Sequence, residues 1–207
     1  MEIKTIYEFG LTYAKYRALI DQLVLQGHTT GFAQSEQLLK YTKLNIQRMN
    51  RLDKTIQISS DLIPNFTRIK RTQKWLLIGD AWCGDCAQII PILNKLADVS
   101  NGKIEFRIIS RDTFPELIEN FQTNGTKSIP KLIVINSESN EVCTTWGPRP
   151  MAAQAIMLNW KENKSTISWD EFENDLHLWY ARDKGQTIIS EIATLIQKCE
   201  TKIPLLQ

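Results

Sequence analysis

The sequence predicts an α/β protein with a mixed central sheet and helical segments at both ends. In the middle of the 207-residue chain, apolar runs of strand length alternate with helical patterns, an order typical of parallel strands joined by right-handed crossovers. Further along, the strand-like runs KLIVIN and EVCTTWG are separated only by SESN. This spacing predicts an antiparallel hairpin that makes the sheet mixed.

The N-terminal segment, residues 1–67, is predicted to be a helical extension packed on the core. LTYAKYRALIDQLVLQ, residues 11–26, places apolar side chains at mostly helical spacing, and Gly27 follows where a helix would end. A second helix is predicted from Ser35 to about Asp53.

Residues 68–162 are predicted to form the α/β domain. KWLLIGDA is a short apolar run typical of a strand buried on both faces. The following helix, CAQIIPILNKLADVSNG, should be kinked at Pro91, and KIEFRIIS is the next strand. Thr113 with Glu116 resembles a capping box for another helix, and RPMAAQAIMLNWKEN predicts one more helix against the sheet.

Residues 163–207 are predicted to be a C-terminal helical extension. Ser168 and Glu171 form a second capping-box pattern, Gly185 should end that helix, and a last helix should run from about Thr187 to Cys199. Large aromatic residues usually bury. We therefore expect four of them to pack on the core: Trp160, Trp169, Trp179 and Tyr180.

Charge and the N-terminal sequence exclude some classes of partner. The 25 basic and 23 acidic residues nearly balance, which argues against a dedicated nucleic-acid-binding protein. The N-terminal residues lack the layout of a secretory signal, and no apolar run approaches membrane-spanning length. We therefore expect a cytoplasmic protein without a membrane partner. Because thiols stay reduced in the cytoplasm, the four cysteines do not indicate a structural disulfide framework.

The stretch DAWCGDCAQII, residues 80–90, carries two cysteines that could form a disulfide staple, half of a metal site or a redox couple. A strand that runs into a helix here puts Cys83 at the helix N-terminus, where free amides and the dipole stabilise a thiolate. Cys86 follows one turn later, where it can resolve a mixed disulfide by attacking Cys83. The arrangement favours the redox couple.

A metal site would need two further closely spaced ligands. The other candidates are scattered singly, and we interpret them as structural or surface side chains: Cys143, Cys199, His28 and His177. No metal is therefore predicted.

WCGDC followed by SIPKLIVI makes the chain resemble the thioredoxin superfamily over roughly residues 70–162. The resemblance implies a thioredoxin-like three-layer α/β/α fold. It also implies that Pro130 is cis and faces the cysteine pair, and that Ile129 offers backbone groups to an extended substrate. Trp82 would shield the thiols, and Gly84 would permit a tight approach at the helix start.

Two positions depart from the pattern of that family. Asp85 stands where a proline is usual between the cysteines, and Leu77 stands where a buried aspartate is usual. Without that carboxylate, Asp85 or Asp80 is a hypothetical proton acceptor for the second thiol. If Asp85 is partly exposed, its charge would interact favourably with the helix dipole but would repel a neighbouring thiolate and raise the pKa of that thiol.

The leading interpretation is a cytoplasmic thiol–disulfide oxidoreductase that reduces protein or small-molecule disulfides. Cys83 would attack and Cys86 would resolve, in a site shaped by Trp82, Gly84, Asp85, Ile129 and Pro130. No cofactor is predicted, because the chain has no flavin or nicotinamide fingerprint. Electrons would come from a dithiol donor such as a reductase, or from glutathione. The alternative is a non-catalytic thioredoxin-like binding or redox-sensing module whose flanks dock a partner, which Leu77 slightly favours.

Overall fold

A mixed sheet lies at the centre of the molecule. The computed structural model describes residues 1–202, with side chains up to residue 197. Within these residues the sheet has four strands in the order β2-β1-β3-β4. They are β1 Gln73–Ile78, β2 Ile104–Ile109, β3 Lys131–Asn136 and β4 Val142–Trp146. β1 pairs parallel with β2 and antiparallel with β3, and β3 pairs antiparallel with β4. The predicted mixed sheet and its hairpin are confirmed.

The two central strands form the core. Every residue of β3 is buried, and Leu76 and Leu77 of β1 are fully enclosed. Such runs suit a strand that is covered on both faces, since each buried aliphatic side chain contributes about 1.5–3 kcal/mol. The loop between β1 and α5, which carries Cys83, thus follows directly from a buried strand.

The helices surround this sheet. They are α1 Ile3–Phe9, α2 Tyr13–Leu25, α3 Glu36–Thr55, α4 Ile63–Thr67, α5 Gly84–Val99, α6 Pro115–Asn120, α7 Met151–Glu162, α8 Trp169–Asp183 and α9 Gln186–Lys202. The short α1 and α4 were not predicted. Leu11, predicted to begin the helix that became α2, instead forms an antiparallel bridge with Ile108. Pro91 lies inside α5.

The two predicted capping boxes have opposite outcomes. The box at Thr113 and Glu116 is wrong: α6 begins at Pro115 with Phe114 as its N-cap and no side-chain capping bond. The reason is that proline at the first helical position needs no amide partner and already has a helical φ. The box at Ser168 and Glu171 is confirmed, with both reciprocal bonds present at the start of α8.

The terminal helices pack against the rest of the chain. α3, α4 and α9 contact α5, and α8 contacts α7. Tyr180 is buried, and Trp160 and Trp179 are partly buried against the core, as expected. Trp169 departs from that expectation, because it is 46% exposed. The side chain of Cys199 lies outside the described residues.

Across residues 1–202, none of the helices combines the length and the apolar character needed to cross a membrane.

Candidate active site

The two cysteines of the C-x-x-C motif lie at the start of α5. Cys83 is the N-cap residue, with extended backbone angles, and its Sγ accepts a hydrogen bond from the Cys86 amide at 3.5 Å. The Cys83 thiol also donates to the carbonyl oxygen of Ile129 at 3.5 Å. Both cysteines are free thiols, with exposed fractions of 8% for Cys83 and 1% for Cys86. The first thiol is thus nearer to solvent than the second.

The Cys86 thiol is held in an enclosed environment. Burial raises its pKa well above the ordinary value, and the adjacent Cys83 thiol raises it further, whereas a hydrogen bond from the Asp80 backbone lowers it. Gly79 makes room for this sulfur, since a Cβ there would lie 2.9 Å from Cys86 Sγ. Cys86 therefore needs a proton acceptor before it can act as a nucleophile.

The loop before β3 faces the cysteines. The Ile129–Pro130 bond is cis, as the resemblance implied. Gly147, after β4, packs directly on this loop: its φ is +113°, and a Cβ there would lie 2.4 Å from the Pro130 carbonyl oxygen. No other residue type fits at this contact without moving Pro130.

Asp85 is buried, so the expectation of a partly exposed charge was wrong. Its exposed fraction is 5%, and Oδ2 lies 2.6 Å from Arg149 Nη2. The Tyr180 hydroxyl donates to Oδ1 at 2.7 Å. Burial raises the pKa of Asp85, and the Arg149 charge and the Tyr180 hydrogen bond oppose that rise. Arg149 after β4 and Tyr180 of α8 cover the carboxylate, and neither contact is visible in the local sequence.

Asp80 lies behind the cysteine pair. It is fully buried, and Oδ1 has no hydrogen-bond partner among the described residues. Oδ2 accepts from the Arg111 amide at 3.3 Å. Burial raises the pKa of Asp80, an effect that the Ser110 and Thr30 hydroxyls partly offset. Unlike Asp85, this carboxyl has no cationic partner among the described side chains.

The helical spacing of residues 11–26 predicted that Tyr16 of α2 would be buried but did not indicate that it lies near the cysteine pair. Its hydroxyl is buried without a hydrogen-bond partner among the described residues. Burial raises its pKa most, followed by the charges of Cys86 and Asp80. The phenol therefore belongs to the enclosed environment of the second thiol.

His177 of α8, interpreted from the sequence as a surface or capped side chain, is half-buried, and its Nδ1 lies 3.4 Å from Gln88 Nε2. Its ring lies against the active-site turn: a Cβ on Gly84 would be 2.9 Å from Cε1 and 3.0 Å from Nε2. Burial, with the charges of Arg48, Arg149 and Arg51, lowers the pKa of His177 to about 3, so the ring is neutral at physiological pH. The available signal was its position beside Leu176, on the buried side of the predicted helix.

A cavity of about 530 Å³ opens above Cys83. Five of the predicted site residues line it: Trp82, Cys83, Gly84, Asp85 and Ile129. The described lining includes neither Cys86 nor Pro130, which are both buried. The remaining walls come from α3, from α8, from Ser128 and from three basic residues: Arg111, Lys127 and Arg149. The Arg111 guanidinium lies over the Trp82 ring, 5.2 Å from its centroid.

Comparison with known proteins identifies the family. Residues 31–165 match the family model described as thioredoxin. The chain belongs to the thioredoxin family. Membership and the similarity to thioredoxins support a thiol redox role in general. Among the side chains that the structure describes, no group of three or more His, Cys, Asp or Glu residues could hold a metal ion.

Similar thioredoxins come from plants. The chain is 32% identical over 76 residues to the chloroplastic thioredoxin M-type of Brassica napus, which covers 36% of this chain and 41% of that protein. It is also 32% identical over 76 residues to the chloroplastic thioredoxin M5 of Oryza sativa subsp. japonica, covering 42% of that protein. The chain spans less than half the length of these relatives.

Solved structures share the fold of this thioredoxin-family chain over almost its whole length. A protein of unknown function from Pseudomonas aeruginosa superposes with a TM-score of 0.63 at 18% identity, covering 95% of this chain and 98% of that one. An HIV epitope scaffold superposes with a TM-score of 0.61, also at 18% identity and with the same coverage. The likeness therefore extends to the terminal helices.

Proposed function

We propose that this thioredoxin-family protein is a thiol–disulfide oxidoreductase that reduces disulfides through Cys83 and Cys86. The observation that carries the proposal is the asymmetric placement of the two thiols. Cys83 borders the cavity at the N-terminus of α5, and Cys86 is buried, with its amide 3.5 Å from the Cys83 sulfur. A nucleophile that borders the cavity, backed by a second thiol that is more deeply buried, is what two-step exchange requires.

In the first step, the Cys83 thiolate attacks one sulfur of the substrate disulfide, so that a mixed disulfide forms and one substrate thiol leaves. In the second step, Cys86 loses its proton and attacks the Cys83 sulfur. The second substrate thiol then leaves, and the two cysteines are left as a disulfide. Two electrons have passed to the substrate, and a dithiol donor, such as a reductase, or glutathione restores the pair.

The proton acceptor for Cys86 is proposed to be Asp80. Asp85 is unsuited to this role because Arg149 and Tyr180 occupy its carboxylate. Asp80 has a buried oxygen without a partner among the described residues, and its backbone hydrogen-bonds Cys86. Burial raises the pKa of Asp80, which makes its carboxylate a better base.

The surrounding residues are proposed to shape the site. Trp82 and Gly84 form the turn beside the nucleophile, and Ile129 and Pro130 present backbone to the substrate, as the Cys83 contact to the Ile129 carbonyl supports. In the cytoplasm, which is the proposed location, the reducing direction is favoured.

The test measures reduction of hydroxyethyl disulfide, a small neutral substrate, with dithiothreitol as donor. The wild type should accelerate the reaction, Cys83→Ser should abolish the acceleration, and Cys86→Ser should accumulate a mixed disulfide that mass spectrometry detects. Cys143→Ser, in β4, is the matched control and should keep wild-type activity. A wild type no faster than Cys83→Ser would support the binding-module alternative instead.

A further inference from the structure

We infer that the cavity above Cys83 takes a small disulfide that carries carboxylates, rather than a disulfide on the surface of a folded protein. The inference rests on the proposed function and specifies the substrate class of the same site. Two independent observations carry it: the walls that the terminal helices build around the nucleophile, and the charge of the side chains that line those walls.

The walls restrict access to Cys83. α3 contributes three residues to one side of the cavity and α8 contributes five to the other: Gln37, Leu38 and Tyr41 from α3, and Trp169, Phe172, Glu173, Leu176 and His177 from α8. The Tyr41 hydroxyl donates to Glu173 Oε2 at 3.1 Å, which joins the two helices across the site. A cavity of about 530 Å³ matches small-molecule sites, whereas a protein partner typically needs an open surface of about 800 Å².

The lining carries excess positive charge. Three basic and two acidic side chains face the cavity, and one acid, Asp85, is already paired with Arg149. Arg111 donates to Asp112 through Nε alone at 3.3 Å, so its terminal amino groups have no partner among the described residues. Lys127 pairs with Glu119, but both side chains are about half exposed, and such a pair is readily exchanged for a substrate carboxylate.

The turn between the cysteines lies in the same positive field. A Cβ on Gly84 would be 3.3 Å from Arg48 Nη1, which places that guanidinium directly behind the turn. The charged groups that act on the neighbouring His177 are all arginines. Glu173 is the opposing charge in the lining, and it already accepts the Tyr41 hydrogen bond. Carboxylates on a substrate would therefore be attracted both to the lining near Arg111 and Lys127 and to the turn near Arg48.

The test uses three disulfides of similar size and different charge: dithiodipropionate (anionic), hydroxyethyl disulfide (neutral) and cystamine (cationic). In one turnover with dithiodipropionate, Cys83 forms a mixed disulfide and releases one mercaptopropionate. Cys86 then releases the second and closes the protein disulfide, which dithiothreitol reduces. Rates are measured at low ionic strength, and each is divided by the rate of dithiothreitol with the same disulfide, so that intrinsic reactivity cancels.

The expected result is a normalised rate at least about tenfold higher for dithiodipropionate than for cystamine, and a preference that weakens as salt is added. Insulin, as a folded protein substrate, should be reduced at least about tenfold less well than hydroxyethyl disulfide on the same scale. The double variant Arg111→Gln/Lys127→Gln should bring the anionic and cationic rates together, when each is divided by the same variant's rate with the neutral disulfide.

Lys95→Gln is the matched control for lost positive charge. Lys95 is exposed on α5, twelve residues from Cys83 and so roughly 18 Å along the helix axis, and the variant should keep the anionic preference. Equal normalised rates for dithiodipropionate and cystamine, or insulin reduced as well as the small disulfides, would overturn the inference and leave the proposed function intact. Failure with insulin and with all three small disulfides would overturn both.

Discussion

Replacing Arg149 with methionine should destabilise the protein through Asp85, the residue between the two cysteines. The Arg149 Nη2 and Asp85 Oδ2 atoms are 2.6 Å apart, and their side chains are only 13% and 6% exposed. At that separation and an effective dielectric constant of about 20, Coulomb's law gives an attraction of roughly 6 kcal/mol. Because desolvation of both charges offsets part of it, we expect Arg149→Met to lower the free energy of unfolding by about 3–5 kcal/mol near neutral pH.

The loss should depend on pH. The pKa of Asp85 in the folded protein is raised, so its contribution to stability is fully present below the unfolded value of about 3.9 and is lost as pH rises through the folded value. Removing Arg149 raises the folded pKa further. The gap in stability between variant and wild type should therefore widen as pH rises from about 4, the unfolded value, through the raised folded value of Asp85.

Urea denaturation, followed by tryptophan fluorescence across that pH range, measures the effect. Arg182→Met removes an exposed arginine from α8 and should change the free energy of unfolding by no more than about 0.5 kcal/mol. If Arg149→Met costs less than about 1 kcal/mol at neutral pH, or costs the same amount at every pH, the buried ion pair does not have the role assigned to it.

Three further predictions concern single contacts. Gly147→Ala would place a Cβ 2.4 Å from the Pro130 carbonyl oxygen, so it should lower the exchange rate at least about tenfold. Gly125→Ala, with nothing within 4 Å, is its control, and equal rates would contradict the packing argument. Asp80→Asn should slow resolution of the mixed disulfide at least about tenfold, because the amide cannot accept the Cys86 proton. It should also remove the part of the rise in that rate with pH that comes from ionisation of the Asp80 carboxyl, whose pKa is raised by burial. Stopped-flow traces that match wild type would exclude this carboxyl as the base. Ser168→Ala should cost about 0.5–2 kcal/mol in thermal unfolding, since it removes the α8 cap, and an unchanged Tm would contradict it.

The sheet could be predicted because its strands are specified locally. The runs that became β1 and β3 each contain four consecutive apolar residues, WLLI and LIVI, and SESN between β3 and β4 allows only a short connection. The start of α5 was predictable for the same reason, since a strand running directly into a helix leaves one place for Cys83. Each of these inferences needs only neighbours in sequence.

The remainder of the site depends on contacts that sequence spacing does not encode. Asp85 is covered by Tyr180, ninety-five positions away, and His177 reaches Gly84 only because α8 folds back over α5. A carboxylate predicted to be partly exposed and a histidine interpreted as a surface or capped side chain therefore both became parts of one site. Tyr16 shows the same limit, because its helical spacing predicted burial but not its neighbours.

The contacts on Gly84 and Asp85, the two residues between the cysteines, limit which substitutions can be made in this motif. In a C-x-x-C sequence the two intervening residues are the obvious choice for an engineer who wants to shift redox behaviour. Here Gly84 has an imidazole in van der Waals contact, and Asp85 is tied to a guanidinium and a phenol. An exchange of either residue would first disturb the docking of a distant helix, so useful variation must enter through the cavity rim instead.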